Sequence, residues 1–247
     1  MADSRRTAQE LAHSRMLARG DTEDIWGWGT PAGQLRARRR AALISAGARL
    51  GPGVKALEIG CGTGLFTEMF AATGARLVAV DLSRELLEKA RARPLPPAQV
   101  QFLAKPFEEC EIDGPFDAVI GSSILHHLDV GAALPKIFSL LKPGGRISFA
   151  EPNMLNPQVF MERKFTFLRR WFWYVSPDET AFVRWRLASL LAQTGFVDIA
   201  ITPFDWLHPG TPPPLIPFVS QLGRLLEAAP GLRELAGSLY ICGCHPG

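Results

Sequence analysis

Between Val54 and Ala150 the chain alternates short, continuously apolar runs with stretches of helical periodicity, and few folds accept that pattern. The apolar runs cover 54–60, 76–81, 99–104, 116–122 and 145–150 and are rich in Val, Ile, Leu and Phe. Runs that are apolar on both faces read as strands buried inside a sheet. Leu65, Met69 and Phe70, then Leu82, Leu86, Leu87 and Ala90, recur at helical spacing and predict helices over 64–73 and 83–93. A strand, a crossover helix and a second strand make a parallel pair with a right-handed connection. The fold class that follows is α/β, a doubly wound and mostly parallel sheet.

Two regions flank this core. Residues 3–19 and 34–49 read as helices separated by the turn-rich stretch from Trp26 to Gly33, and we take 1–50 as an N-terminal helical cap on a main domain at 51–247. After Glu151 an irregular Pro-Asn stretch leads into an aromatic, basic helix around 158–174 and a second helix at 180–194 that Gly195 stops. The piece at about 152–180 is expected to be a lid inserted after the fifth strand. Two more strands are expected at 196–202 and 237–243. Between them, the proline-rich 208–217 excludes regular structure and 218–228 reads as a helix, together forming a second insertion at about 208–230.

Composition narrows the function classes. The formal charge of +3 is too mild to argue for a nucleic-acid partner. Residues 1–50 hold nine Arg, but Asp3, Glu10, Asp21, Glu23 and Asp24 speak against an Arg-rich targeting peptide. No apolar run approaches the length that spans a membrane. The cysteines at 61, 110, 242 and 244 lack the spacing of a zinc site or a disulfide framework, so a reduced, cytoplasmic protein without a bound metal is expected.

The chemistry is concentrated at Glu58-Ile-Gly60-Cys-Gly62-Thr-Gly64, which follows the first strand and opens a helix. Glycines there allow a sharp turn and a close approach of ligand to main chain, although a tight strand–helix turn needs glycine in any case. Asp81 ends the next strand, about twenty residues on, where a carboxylate can accept hydrogen bonds from ribose hydroxyls or simply cap the following helix. A dinucleotide site uses G-x-G-x-x-G. Here the spacing is G-x-G-x-G with Glu58 beside it, which suits a cationic, amino-acid-bearing nucleoside better than a pyrophosphate.

These segments resemble class I S-adenosylmethionine-dependent methyltransferases. Leu57–Gly64 looks like their first motif, Val80–Ser83 like their second, Phe116–Leu128 like the fourth-strand motif and Leu141–Arg146 like the turn before strand five. The resemblance implies a Rossmann-like sheet of seven strands whose last strand is antiparallel, with S-adenosylmethionine across the strands' C-terminal ends. It implies a cofactor set of Glu58, Gly60, Cys61, Gly62, Gly64, Asp81, Leu82, Pro106, Phe107 and Ser122. Within that set the glycines line the methionine and ribose, Asp81 holds the ribose, Leu82 packs on adenine and Ser122 lies near the methionine. The sequence departs from the family at Ala104-Lys-Pro-Phe107, where Lys105 replaces the usual acid and cannot accept a hydrogen bond from adenine.

His126 and His127, after strand four, are candidate general bases, or one of them packs or caps. Glu151 and Asn153, just past strand five, either face the same cleft or fix the Pro152–Pro157 loop. His208 is a further candidate. Arg36 and Arg40 share a helix face and either meet the methionine carboxylate or form a solvated basic face. Trp28 either closes the site or packs. The aromatic and basic residues of 160–175 suit an apolar acceptor, a membrane surface that supplies one, or a lid completing the core. The function expected is methyl transfer to a small, largely apolar, lipid-, isoprenoid- or natural-product-like acceptor. The alternative is a catalytically inactive S-adenosylmethionine-binding module or partner subunit.

Overall fold

The computed structural model describes residues 11–164 and 181–247, apart from 13 and 17. The aromatic stretch expected as a lid therefore lies largely outside the described residues, as does most of the helix expected at 3–19. A helical turn at Thr22–Ile25 precedes α1 (Pro31–Gly47). The chain then runs β1 (Lys55–Ile59), α2 (Leu65–Ala71), β2 (Arg76–Asp81), α3 (Arg84–Arg91), β3 (Val100–Ala104) and β4 (Phe116–Ser122). It continues through α4 (Val130–Leu140), β5 (Leu141–Pro152), α5 (Pro157–Lys164), α6 (Arg184–Thr194), β6 (Val197–Phe204), α7 (Ile216–Ala228) and β7 (Ser238–Cys244).

The seven strands form one sheet in the order β3-β2-β1-β4-β5-β7-β6. The first five are mutually parallel, and β7 runs antiparallel between β5 and β6. The doubly wound, Rossmann-like architecture expected from the alternation is thus the one observed. Strand order reverses at β1 and β4, so the loops after β1, β2 and β4 open side by side at the strands' carboxyl ends. Ligands bind at that switch point in open α/β sheets.

Each face of the sheet carries its own core, and the period of two assigns the residues. Leu57, Ile59, Val119 and Phe149 face one side with Leu187 and Leu191 of α6 and Ile137 of α4. Ala56, Ala118, Ile120 and Ala150 face the other with Ile44 of α1, Phe70 of α2 and Leu87 of α3. The small residues on this second face let α1 approach closely: a Cβ on its Gly47 would lie 2.1 Å from the Tyr240 hydroxyl.

Several boundaries differ from the sequence reading, each for a local reason. Helix α1 starts at Pro31, earlier than expected, because the Thr30 hydroxyl accepts from Gly33 N–H and Pro31 is tolerated in the first turn. Helix α4 does not stand out in the pattern because Pro135 sits inside it and removes one hydrogen bond. Burial of Ala133, Leu134 and Ile137 holds it nonetheless. Gly195 ends α6 with φ +109°, as a helix-stopping glycine should.

Candidate active site

The glycine turn takes a backbone that side chains resist. Gly60, Gly62 and Gly64 have φ of +68°, +52° and +77°. Gly60 N–H and Cys61 N–H both donate to the Val80 carbonyl, at 2.8 and 3.2 Å, pinning the turn to the end of β2. A Cβ on Gly60 would lie 2.4 Å from Ile124, so the turn and the loop after β4 touch there.

Asp81 fastens the same turn from below. Its Oδ2 accepts from Gly62 N–H at 2.8 Å and its Oδ1 from Ser83 N–H at 2.9 Å, while the Ser83 hydroxyl caps α3 by accepting from Leu86 N–H. Asp81 therefore shapes the entry to the helix and also lines the cavity beside it. Burial pushes its carboxyl above the ordinary range despite the two N–H donors. An ionised carboxylate offers about four acceptor positions, so two remain for a vicinal diol.

Above the turn lies a cavity of about 530 Å³. Its size falls within the span of small-molecule sites. The N-terminal segment forms part of its wall through Trp26 and Trp28. Glu23 Oε1 accepts from the Thr63 hydroxyl at 3.0 Å and pairs with Arg93, whose Nε donates to the Thr63 carbonyl at 2.7 Å. Trp28 meets Phe66 edge to face at 5.4 Å, and the guanidinium groups of Arg36 and Arg40 each lie 5.4 Å from its ring centre.

Past the Ser122 end of β4 the backbone turns at Ser123, whose φ is +57°, and enters a short helical turn at Leu125–His127. Glu151 of β5, fully buried, organises this turn. Its Oε1 accepts from the N–H groups of Ile124 and Leu125, both at 2.9 Å, and its Oε2 lies 2.6 Å from His126 Nδ1. Burial pushes the Glu151 carboxyl up to about 7, against the pull of the two N–H donors. The Glu151 carboxyl is therefore partly protonated near neutral pH, beside the His126 ring. The His127 ring stands 4.2 Å from that of His126, and both histidines line the cavity.

Arg40, read from the sequence as either a partner of the methionine carboxylate or part of a solvated basic face, is a hub of this wall. It is buried, donates to the hydroxyls of Ser123 at 2.8 Å and Ser238, and has Asp205 at 3.8 Å. Burial lowers its pKa to about 10, which leaves it cationic at neutral pH. Asp205, with φ +78°, is the closer partner of Arg36, at 2.8 Å. A signal for Arg40 was present: it falls in the stripe Ala37, Arg40, Ala41, Ile44, the buried face of α1.

Of the expected residues, Gly60, Cys61, Gly62, Asp81, Leu82, Ser122, His126 and His127 line the cavity together. Gly64, Glu151, Glu58, Pro106, Phe107 and Asn153 stand off its wall. Gly64 caps α2. Glu151 lies behind His126. Glu58 is buried against α2, accepts from the Thr67 hydroxyl at 2.6 Å and is pushed up to about 8 by burial, so it is largely protonated at pH 7. Phe107 is buried beneath the Lys136 ammonium at 5.0 Å, with Pro106 beside it at the start of its helical turn. Lys105 is exposed. Asn153 does not face the cleft, since its amide donates to the carbonyls of Glu234 and Ala236 and ties down the loop. Gln158, Glu162 and His208 also join the wall, with Gln158 Nε2 donating to Glu162 at 2.8 Å and lying 3.3 Å from His208 Nε2. Among the described residues no group of three His, Cys, Asp or Glu side chains is placed to hold a metal. No described helix is long and apolar enough to cross a membrane.

Comparison with known proteins agrees with this geometry. Residues 56–145 match the family described as "Methyltransferase domain". The ubiquinone biosynthesis O-methyltransferase of Xanthomonas axonopodis pv. citri is 37% identical over 133 residues, 52% of this chain and 56% of that protein. The chain thus spans about half the length of the curated relatives it matches. Among solved structures, the phosphoethanolamine N-methyltransferase 2 of Haemonchus contortus, bound to phosphomonomethylethanolamine and S-adenosylhomocysteine, superposes with a TM-score of 0.66 at 19% identity. That match covers 93% of this chain and 58% of the other. The N-methyltransferase NodS of Bradyrhizobium japonicum, with S-adenosylhomocysteine, gives 0.63 at 17% identity over 96% and 98% of the two chains. At these identities the two structures share the fold.

Proposed function

Because residues 56–145 carry a methyltransferase domain of the class I, S-adenosylmethionine-dependent kind, we propose that the chain transfers a methyl group from S-adenosylmethionine to a small, largely apolar acceptor bound in the cavity. The observation that carries this reading is the placement of two different chemistries on one cavity wall. Asp81 and the glycine turn line it after β1 and β2, and His126, backed by Glu151, lines it after β4.

The residues present fit the cofactor. Positive φ at Gly60 and Gly62 lets a ligand approach the main chain where a side chain would intrude. Asp81 has acceptor capacity for ribose hydroxyls beyond the two N–H groups it holds. Leu82 supplies an apolar contact for the base, and Ser122 and Arg36 offer polar groups toward the methionine end. The cofactor, when bound, supplies a methyl group already activated on a sulfonium. The task left to the chain is to hold an acceptor in line and dispose of its proton.

For a hydroxyl acceptor, His126 takes that proton. Glu151 holds Nδ1–H, so Nε2 is the ring nitrogen that presents a lone pair. The carboxylate then compensates the imidazolium that forms. Glu151 is in this sense a positioning residue, and His127 a neighbour on the wall. Val159, Trp206 and Leu207 give the cavity apolar surface, with Gln158 and His208 as polar points for orientation. The name of the 37% identical relative, an O-methyltransferase of ubiquinone biosynthesis, supports an oxygen acceptor on an apolar ring.

Calorimetry followed by methyl-transfer assays tests the proposal. S-adenosylmethionine and S-adenosylhomocysteine should bind in the micromolar range. Labelled methyl should pass to phenols or catechols carrying an apolar tail in preference to small polar amines. Failure of both nucleosides to bind at sub-millimolar concentration overturns the donor. Exclusive transfer to amines overturns the oxygen acceptor.

A further inference from the structure

Six of the thirteen exposed large apolar side chains of the described residues fall within 215–235. Phe218, Leu222 and Leu225 occupy i, i+4 and i+7 of α7 and form a stripe on its outer face, with Phe218 66% and Leu225 64% exposed. The opposite face is spent on packing. Ile216 is buried, and a Cβ on Gly223 would lie 3.1 Å from Trp206, a wall residue of the cavity. Leu215, Leu232 and Leu235 extend the exposed apolar surface beyond both ends of the helix.

The charge left unmatched in this segment is positive. From Trp206 to Gly247 the only acids are Glu227 and Glu234, and both are committed to cations. Glu227 takes both terminal nitrogens of Arg39 and also accepts from Asp205 N–H. Glu234 accepts from Arg184 Nε at 2.7 Å and lies 3.6 Å from Arg233. The cations of the segment itself are Arg224, exposed beside Leu225, and Arg233, whose side chain is 42% exposed. An apolar stripe flanked by cations, with its acids neutralised, matches an anionic lipid interface better than a protein surface, which would offer both signs.

We propose that this face docks on an anionic bilayer surface. Helix α7 lies in the plane of the interface, with Phe218, Leu222 and Leu225 at the boundary between headgroups and acyl chains. Arg224 and Arg233 sit at the level of the lipid phosphates. At thirteen residues α7 is roughly 20 Å long, suited to lying on a membrane and too short to cross one. The inference concerns the surface alone and holds whatever the cavity methylates.

Vesicle sedimentation of the full chain tests it, using phosphatidylcholine alone and phosphatidylcholine with roughly one-third phosphatidylglycerol. The protein should sediment with the anionic vesicles and much less with the neutral ones. The triple variant Phe218→Ser, Leu222→Ser, Leu225→Ser should bind them about tenfold more weakly or worse, and Arg224→Glu should weaken binding in a salt-sensitive way. Circular dichroism melts and cofactor calorimetry on the same variants show that fold and cavity are intact. Absence of binding to either vesicle overturns the proposal, as does binding that the triple variant leaves unchanged. Sedimentation velocity supplies a further refuting outcome: a dimer that the triple variant dissociates, without vesicle binding, would assign the stripe to a second copy of the chain.

Discussion

Replacing Glu151 with Gln separates the proposed proton relay from the architecture that carries it. The glutamine keeps one oxygen where Oε1 now accepts from Ile124 and Leu125 N–H, so the turn bearing both histidines remains supported. Its amide NH2 falls opposite His126 Nδ1, where Oε2 now lies at 2.6 Å. To meet a donor, Nδ1 must become the acceptor, and the ring proton moves to Nε2. The nitrogen assigned to take the acceptor's proton is then blocked. General-base contributions are worth about 10²–10⁴-fold, which is roughly 3–5 kcal/mol of barrier. The expected result is a kcat lowered by that factor, with cofactor affinity within about threefold of the wild type and a small change in melting temperature. Alanine would be a poorer test: it strands two buried N–H groups at a cost of about 1–3 kcal/mol each, so unfolding would confound the kinetics. The pH profile adds a second readout. The Glu151 carboxyl is pushed up to about 7 by burial. Below that pH the carboxyl is protonated and donates to Nδ1, which puts the proton of the neutral ring on Nε2; above it the carboxylate holds Nδ1–H and Nε2 is the basic nitrogen. Wild-type kcat/KM should therefore rise through pH ~7 and level off, and the glutamine variant should lose that inflection. Assays of S-adenosylhomocysteine release across the pH range, with calorimetry and thermal melts in parallel, supply every term. A glutamine variant with wild-type kcat and an unchanged pH profile would refute the relay.

Three further outcomes follow from the geometry. Glu58 has its pKa raised from 4.5 to about 8 in the fold, so the native state binds the proton more tightly than the unfolded chain. Its contribution is fully present below pH ~4.5 and is lost as pH rises toward 8; denaturant melts of Glu58→Gln should be flatter across this window, and parallel curves for the two proteins would remove the assignment. Asp81→Asn keeps one acceptor oxygen for the turn and surrenders charge-assisted bonding to the ribose, so calorimetry should show cofactor binding weakened about tenfold or more. An unchanged affinity would take Asp81 out of the cofactor site. Gly60→Ala puts a Cβ 2.4 Å from Ile124 at φ +68°, adding overpacking to left-handed strain; a stability loss of roughly 2–5 kcal/mol is expected, and chemical denaturation showing less than about 1 would mean the β4 loop yields easily.

The parts of this molecule that the sequence makes legible are those whose partners are close in the chain or fixed by periodicity. The parallel strands show themselves because burial on both faces leaves unbroken apolar runs. Asp81 finds Gly62 because a strand, a turn and a helix always return the chain to about the same place, and the 19-residue separation is that of one crossover. Glu58 shows how a legible rule can go unused. Adjacency to Gly60 suggests a carboxylate facing the ligand, but the strand's period of two puts it on the face of Ala56, toward Thr67 of α2 and away from the cavity. The reading from adjacency was the weaker one.

The His126–Glu151 pair needed information of another kind. His126 and Glu151 are 25 residues apart on either side of α4, and their meeting depends on the register that sets Ser122 beside Ala150 in the parallel β4–β5 ladder. A shift of one residue would turn Glu151 to the opposite face of the sheet. No local pattern encodes that register; it is fixed by how Val119, Ile147 and Phe149 pack within one core. The link from Arg36 to Asp205 spans 169 residues and joins the first long helix to the end of β6, a contact that exists only once β7 has inserted antiparallel between β5 and β6. Donor chemistry was therefore readable because it sits within one local βαβ unit, whereas the proposed acceptor side is assembled from α1, β5, α5 and the loop after β6. Substitutions that change acceptor choice should accordingly fall in that second set, at Gln158, Trp206 and His208, and leave the affinity for S-adenosylhomocysteine unchanged.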